Sequence, residues 1–225
     1  MTESPSSSAP AAPTRKRLTR ERVLNAALDI ADRGGLQRLT IRSLASELGA
    51  RPMSVYHYVS GKDELLDALV DAVFDAIDSP DPDGDWREEI RRSAHSARAV
   101  LRKHSWAIGL LESRTSPGPA TLRHHDRVLA CLLRSGFSAE LTAHAYALVD
   151  SYVYGFALQE ASLPFEGPDA VGGVAEPILE RMGAGEYPAM VEMATNHYLQ
   201  PGYDWADEFG FGLDLILDGL EQRRG

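Results

Sequence analysis

Apolar residues recur along the chain at spacings of three and four, the signature of one buried helical face. Thr19 opens the first such stretch. Val23, Ala27, Ile30 and Ala31 share a stripe, and Gly34-Gly35 closes it. Thr40 opens a second, short one, in which Ile41, Leu44, Ala45 and Leu48 fall on one face before Gly49. A third segment covers 52–59, with Pro52 in the first turn, where a missing N–H costs nothing. Ser60 is placed to cap a long fourth helix, with Asp63 completing a capping box. Leu66, Leu69, Val70, Val73 and Ile77 form its stripe, and the Pro/Asp/Gly run at 79–84 ends it. Further helices are expected near 85–104, 106–112, 119–135, 138–161, 187–199 and 203–222, with Asp85 and Ser138 marking two of the starts. The Gly- and Pro-rich stretch 161–188 predicts a mobile part of the body, with a helical turn or two near 177–182. No segment alternates with period two between turn signals, so the expected fold is all-α.

Composition divides this string of helices. Residues 1–14 are Ser/Pro/Ala-rich and predict a disordered tail without the charged start and apolar core of a secretion signal. The 225 residues carry a net charge of -10, which by itself argues against nucleic acid. The distribution reverses that argument. Residues 15–62 sum to +6 and residues 63–225 to −15. A small basic head on a large acidic body is what a nucleic-acid-binding module joined to a second function produces, although chance segregation of surface charge gives the same sums. No apolar run approaches the ~18 residues of a membrane span, and a lone cysteine, Cys131, excludes an internal disulfide framework. These features predict a cytoplasmic protein.

In the head, a longer helix followed by two short ones joined at Gly49-Ala50-Arg51 matches a helix-turn-helix, whose second short helix is free to enter a major groove. The run from Thr40 to Leu66 contains Val55-Tyr-His-Tyr-Val-Ser-Gly-Lys62-Asp-Glu-Leu-Leu and resembles the DNA-binding head of TetR-type transcriptional repressors over about residues 18–75. In the body, Gly136-Phe137-Ser138 and the segment from Tyr146 to Phe156 resemble the C-terminal domain of the tetracycline-repressor branch. The resemblance implies DNA contacts from Arg42, from Arg51, Pro52, Met53 and Ser54 at the start of the recognition helix, from Tyr56 and Tyr58, and from Lys62 as a phosphate lysine. Arg15, Lys16 and Arg17 would follow the backbone as a loose arm. Met53 can touch a thymine methyl but cannot hydrogen-bond a base, so base preference is assigned to Arg51 and Arg42. Packing is the alternative role for Tyr58, and a solvated tail for the arm.

The body shows no catalytic constellation. None of the seven histidines pairs with another at i, i+3 or i, i+4, so no local helical metal site is encoded. Asp81-Pro-Asp-Gly-Asp85 starts like a calcium loop but has Arg92 where the bidentate acid belongs, and reads as an acidic turn. Cys131, on an apolar helix, reads as core. No enzyme, metal or cofactor is expected. From Leu141 to Leu158 apolar residues occur on every face, which places that helix between two layers. By resemblance it builds a four-helix homodimer interface with the last helix, through Tyr152, Phe156, Phe209, Leu213 and Leu217; filling a monomer core is the alternative. Tyr146, Asp150 and Tyr154 fall at i, i+4 and i+8, a stripe whose polar groups either satisfy each other or face a ligand; with Trp106, Leu110 and His125 they are the candidate ligand contacts, and core packing is the alternative role for each. The position of the tetracycline repressor's magnesium-binding histidine falls within 109–112, where this chain has none. Tetracycline with magnesium is therefore not the expected effector. The sequence predicts a repressor released from a palindromic operator by a small apolar or aromatic effector. The alternatives are a helical small-molecule-binding protein without operator function and, less favoured, a helical enzyme.

Overall fold

Side-chain caps set where the first helices begin. The Thr19 hydroxyl accepts from the Arg22 N–H at 3.2 Å and starts α1 (Arg20–Gly34), which stops where Gly35 turns to φ 73°. Thr40 and Ser43 cap reciprocally at the start of α2 (Ile41–Glu47). Gly49, at φ 58°, makes the turn into α3 (Pro52–Val55), which is shorter than the 52–59 expected because residues 56–58 continue as turns. The computed structural model describes residues 17–165, 167, 170–182 and 185–225; the expected tail 1–14, with Arg15 and Lys16, lies outside the described residues.

The fourth helix departs from expectation at its start. Gly61, not Ser60, is the cap of α4 (Lys62–Asp75), and no capping box forms with Asp63. Instead the Ser60 N–H donates to the Glu64 carboxylate at 2.7 Å. After Asp85 caps α5 (Trp86–Lys103), the expected 106–112 helix shrinks to a 3-10 turn at Ser105–Ala107 and further turns. Then come α6 (Pro119–Arg134), α7 (Ala139–Ser162, capped by Ser138), α8 (Gly172–Glu180) and α9 (Pro188–Met193), the last running into a π turn at Ala194–Tyr198. A 3-10 turn at Trp205–Asp207 leads into α10 (Glu208–Arg224). α8 begins earlier than the turns expected near 177–182 and carries Pro177 inside it. The described residues contain no strand, and no helix among them is long and apolar enough to cross a membrane.

Two apolar cores form, and α4 belongs to both. The head core gathers Val23, Ala27, Leu44, Val55 and Val59 with Leu65, Leu66 and Leu69 of α4. The body core takes Val70, Val73 and Phe74 of the same helix, with α5, α6, α7 and α10 around them. The head therefore extends past residue 62, because without the first turns of α4 its core lacks three leucines, each contributing about 1.5–3 kcal/mol of burial.

Candidate functional site

The head presents one face of polar and apolar side chains that α1 and α4 hold in place from behind. Arg42, Arg51, Pro52, Met53, Tyr56 and Lys62 are exposed, Met53 by 71%, while Val55 and Val59 turn inward as anchors. Ser54 is half-buried. Pro52 occupies the first turn of α3, and Lys62 stands at the first position of α4, where free backbone amides favour an anion. Tyr58 is placed differently. Its hydroxyl donates to the Leu18 carbonyl at 2.8 Å and its ring packs on the head core, so it braces the third segment against the chain entering α1 and its hydroxyl is committed.

Between head and body lies a set of polar contacts that the sequence did not announce. Asp32 of α1 accepts from the Trp106 indole N–H at 2.7 Å and lies 2.7 Å from His104 Nδ1, which therefore carries a proton. Asp63, Asp67, Asp71 and Asp75 repeat every fourth residue along α4 and meet Arg114, before α6, and the first turns of α6 itself. Arg114 pairs with Asp67 and lies 3.6 Å from Asp63. Thr121 gives both its N–H and its hydroxyl to Asp71, at 2.8 and 3.0 Å, and Arg123 reaches Asp75 at 3.0 Å. The four-residue period was visible in the sequence and was the available signal; the partners, about 50 residues away, were not. Trp106 and Leu110 pack against both cores at this joint and do not line the body cavity.

The body cavity sits among α5, α6 and α7, with Ile77, just past the end of α4, at its edge. It measures about 30 Å³, little more than a water molecule needs. Asp150, Tyr154 and His124 line it, with Ser93 and a wall of aliphatic side chains that includes Ile77, Val128 and Val153. His125 and Tyr146 stand behind this wall, joined by a 2.6 Å hydrogen bond between the tyrosine hydroxyl and His125 Nδ1. The Phe74 ring of α4 packs on both histidines, at 5.5 Å from His124 and 5.1 Å from His125. Burial dominates the titration here. It lowers His124 to about 4 and also lowers His125, so both imidazoles are neutral near pH 7. It pushes the Asp150 carboxyl up to about 7, against a hydrogen bond from Tyr146 and with help from the negative Glu112. The Tyr146 and Tyr154 phenols are raised by the same burial. Among the described residues no group of three His, Cys, Asp or Glu side chains is arranged to hold a metal.

The residues expected at a dimer interface turn inward. Phe209, Leu213 and Leu217 are 0% exposed and Phe156 is buried, all within the body core of one protomer. Tyr152 donates to the Phe209 carbonyl at 2.9 Å and fits against Gly212, where a side chain would overlap its hydroxyl. The large apolar side chains that α7 and α10 leave exposed are Leu148, Leu158, Phe211 and Leu215. The two helices carry apolar residues on nearly every side, and the pattern alone does not say which side faces the protomer's own core.

Comparison with known proteins follows the same division of the chain. Residues 23–69 match the bacterial regulatory proteins of the tetR family, and residues 79–224 match the tetracyclin repressor-like C-terminal domain. The HTH-type transcriptional repressor DrrR1 of Streptomyces coeruleorubidus is 38% identical over 221 residues, covering 92% of this chain and 80% of that protein. The tetracycline repressor protein class C of Escherichia coli is 29% identical over 92% of this chain and 93% of its own. The crystal structure of the Streptomyces coelicolor TetR family protein ActR in complex with actinorhodin superimposes with a TM-score of 0.73 at 30% identity, covering 93% of this chain and 99% of that one. Head and body thus agree, and the chain belongs to the TetR family of transcriptional regulators.

Proposed function

We propose that this TetR-family repressor works as a homodimer, holds a palindromic operator with its two heads, and releases it when a small effector expands the cavity among α5, α6 and α7. The observation that carries this reading is the sharing of α4 between the two cores. Phe74 rests on His124, which lines the cavity, and on His125 behind it, while Leu65, Leu66 and Leu69, one to three turns earlier on the same helix, fill the head core. A cavity of about 30 Å³ admits no organic effector without rearrangement. Binding therefore favours a state in which α4 has moved, and that differential affinity is what shifts the equilibrium between operator-bound and free forms. The aspartate ladder ties α4 to Arg114 and α6, and the Asp32 clasp ties α1 to His104 and Trp106 at the end of α5, so the displacement has two polar links from body to head.

On the DNA side, Arg42 and Arg51 read base edges, Pro52, Met53, Ser54 and Tyr56 shape the contact, and Lys62 neutralises a phosphate. Tyr58 holds the reading segment in place from inside the head. A symmetric dimer gives the two heads the spacing of successive major grooves. The dimer contact falls on Leu148 and Leu215, which line a groove of about 550 Å³ between α7 and α10, and on the exposed Leu158 and Phe211 of the same two helices. The test is the salt dependence of operator affinity. Lys62→Ala should weaken binding to all duplexes and reduce the log–log slope by about 1 per head. Tyr58→Phe should leave the slope unchanged. An unaltered slope in Lys62→Ala would refute the phosphate contact.

A further inference from the structure

We propose that the effector of this repressor carries a basic nitrogen on a flat, largely apolar body, and that Asp150 is the residue that selects it. The inference rests on the reading above that the α5–α7 cavity is the effector site. Asp150 lines that cavity beside Tyr154 and His124. Among the described residues no Arg or Lys pairs with it, whereas each aspartate of the α4 ladder has an arginine or threonine partner. The groups that face Asp150 supply no positive charge. From α6 come His124 and His125, both held neutral by burial. From α7 come the hydroxyls of Tyr146 and Tyr154, and from the turns before α6 the negative field of Glu112. α4 contributes the Phe74 ring behind the histidines, and Ile77 follows it; α5 offers one polar group, Ser93.

A carboxylate in such a place is expensive to ionise, and burial holds the Asp150 carboxyl near 7. A cationic ligand supplies the missing counter-charge beside a half-buried carboxylate, where an ion pair is screened less than in bulk water. The rings of His124 and Tyr154 line the cavity beside Asp150, with Phe74, His125 and Tyr146 packed behind them, so a planar body meets aromatic faces there, and a tyrosine face favours a cation as well. A neutral ligand with a carbonyl would instead call on Asp150 as a protonated hydrogen-bond donor, and the two cases have opposite signatures.

The experiment compares two probes of the same ring system on the full chain without DNA: proflavine, a planar cation, and acridone, its neutral carbonyl counterpart. Calorimetry at pH 8 should give proflavine an affinity at least about tenfold above acridone. Lowering the pH to 6 protonates Asp150 and should cost proflavine about tenfold, one decade per unit below the carboxyl's midpoint. Asp150→Asn should abolish both the preference and the pH dependence while keeping the parent's helical circular dichroism. Equal or tighter binding of acridone, binding of neither probe, or a preference that survives Asp150→Asn would overturn the proposal. Operator binding by the ligand-free protein, measured in parallel, tests the repressor reading separately, so the two can fail independently.

Discussion

His124 and Asp150 share one cavity wall and pull stability in opposite directions with pH. His124 is held neutral to about 4, far below its unfolded value near 6.5, so its contribution is complete above 6.5 and is lost as pH falls towards 4. Asp150 is held protonated to about 7, above its unfolded value near 3.8, so its contribution is complete below 3.8 and is lost as pH rises through 7. Between about 4 and 6.5 the two slopes oppose each other. Asp150→Asn removes one of them. The variant's melting temperature should therefore rise with pH across that window more steeply than the parent's, and should exceed the parent's above pH 7. Parallel curves for variant and parent would show that Asp150 is solvated after all. Tyr58 shows the residue scale from another side. Its motif position suggested DNA, but a carbonyl 40 residues earlier takes its hydroxyl.

At the scale of elements, helix starts were legible wherever the cap is local. Thr19, Thr40, Asp85 and Ser138 each accept from a backbone N–H three residues on, a geometry written within four positions of sequence. Helix phase was legible in α1 and α2, where one face is apolar and the other charged. It was not legible in α7 and α10, whose apolar residues surround the axis, and so Phe209, Leu213 and Leu217 were assigned to a partner when they fill their own protomer. The site divided in the same way. Asp150 and Tyr154 line a cavity, whereas Trp106 is held towards the head by Asp32, a contact spanning 74 positions, and Leu110 packs beside it against both cores. The seam between α7 and α10 is tight at Gly212, where Tyr152 occupies the space of a side chain. Gly212→Ala should cost about 1–3 kcal/mol through overpacking, read as a lower midpoint in urea. Adding Tyr152→Phe removes the clashing hydroxyl and should recover part of that loss.

At the scale of the molecule, the proposed operator contact draws on the +6 of residues 15–62, and the −15 of the remainder would repel DNA from the body. Two such heads act together only if the bodies pair. Leu215 is 58% exposed on α10 and Leu148 46% exposed on α7, an apolar surface that one protomer leaves uncovered. Leu215→Asp should give monomers in sedimentation and lose operator affinity. Leu213→Asp, buried inside the protomer, should unfold the chain instead. A Leu215→Asp protein that still sediments as a dimer would place the contact elsewhere.

The double membership of α4 has a consequence for anyone who treats head and body as interchangeable parts. A chimaera spliced at residue 62 asks a foreign helix to close the first core, because Leu65, Leu66 and Leu69 travel with the wrong partner. Splicing after Ile77 keeps that core whole but carries Phe74 and the aspartate ladder into a body that never evolved to meet them. Such a hybrid would bind its operator and be deaf to the effector. Portable specificity in this protein requires the head, α4 and the Arg114–Arg123 seam to be moved as one inheritance.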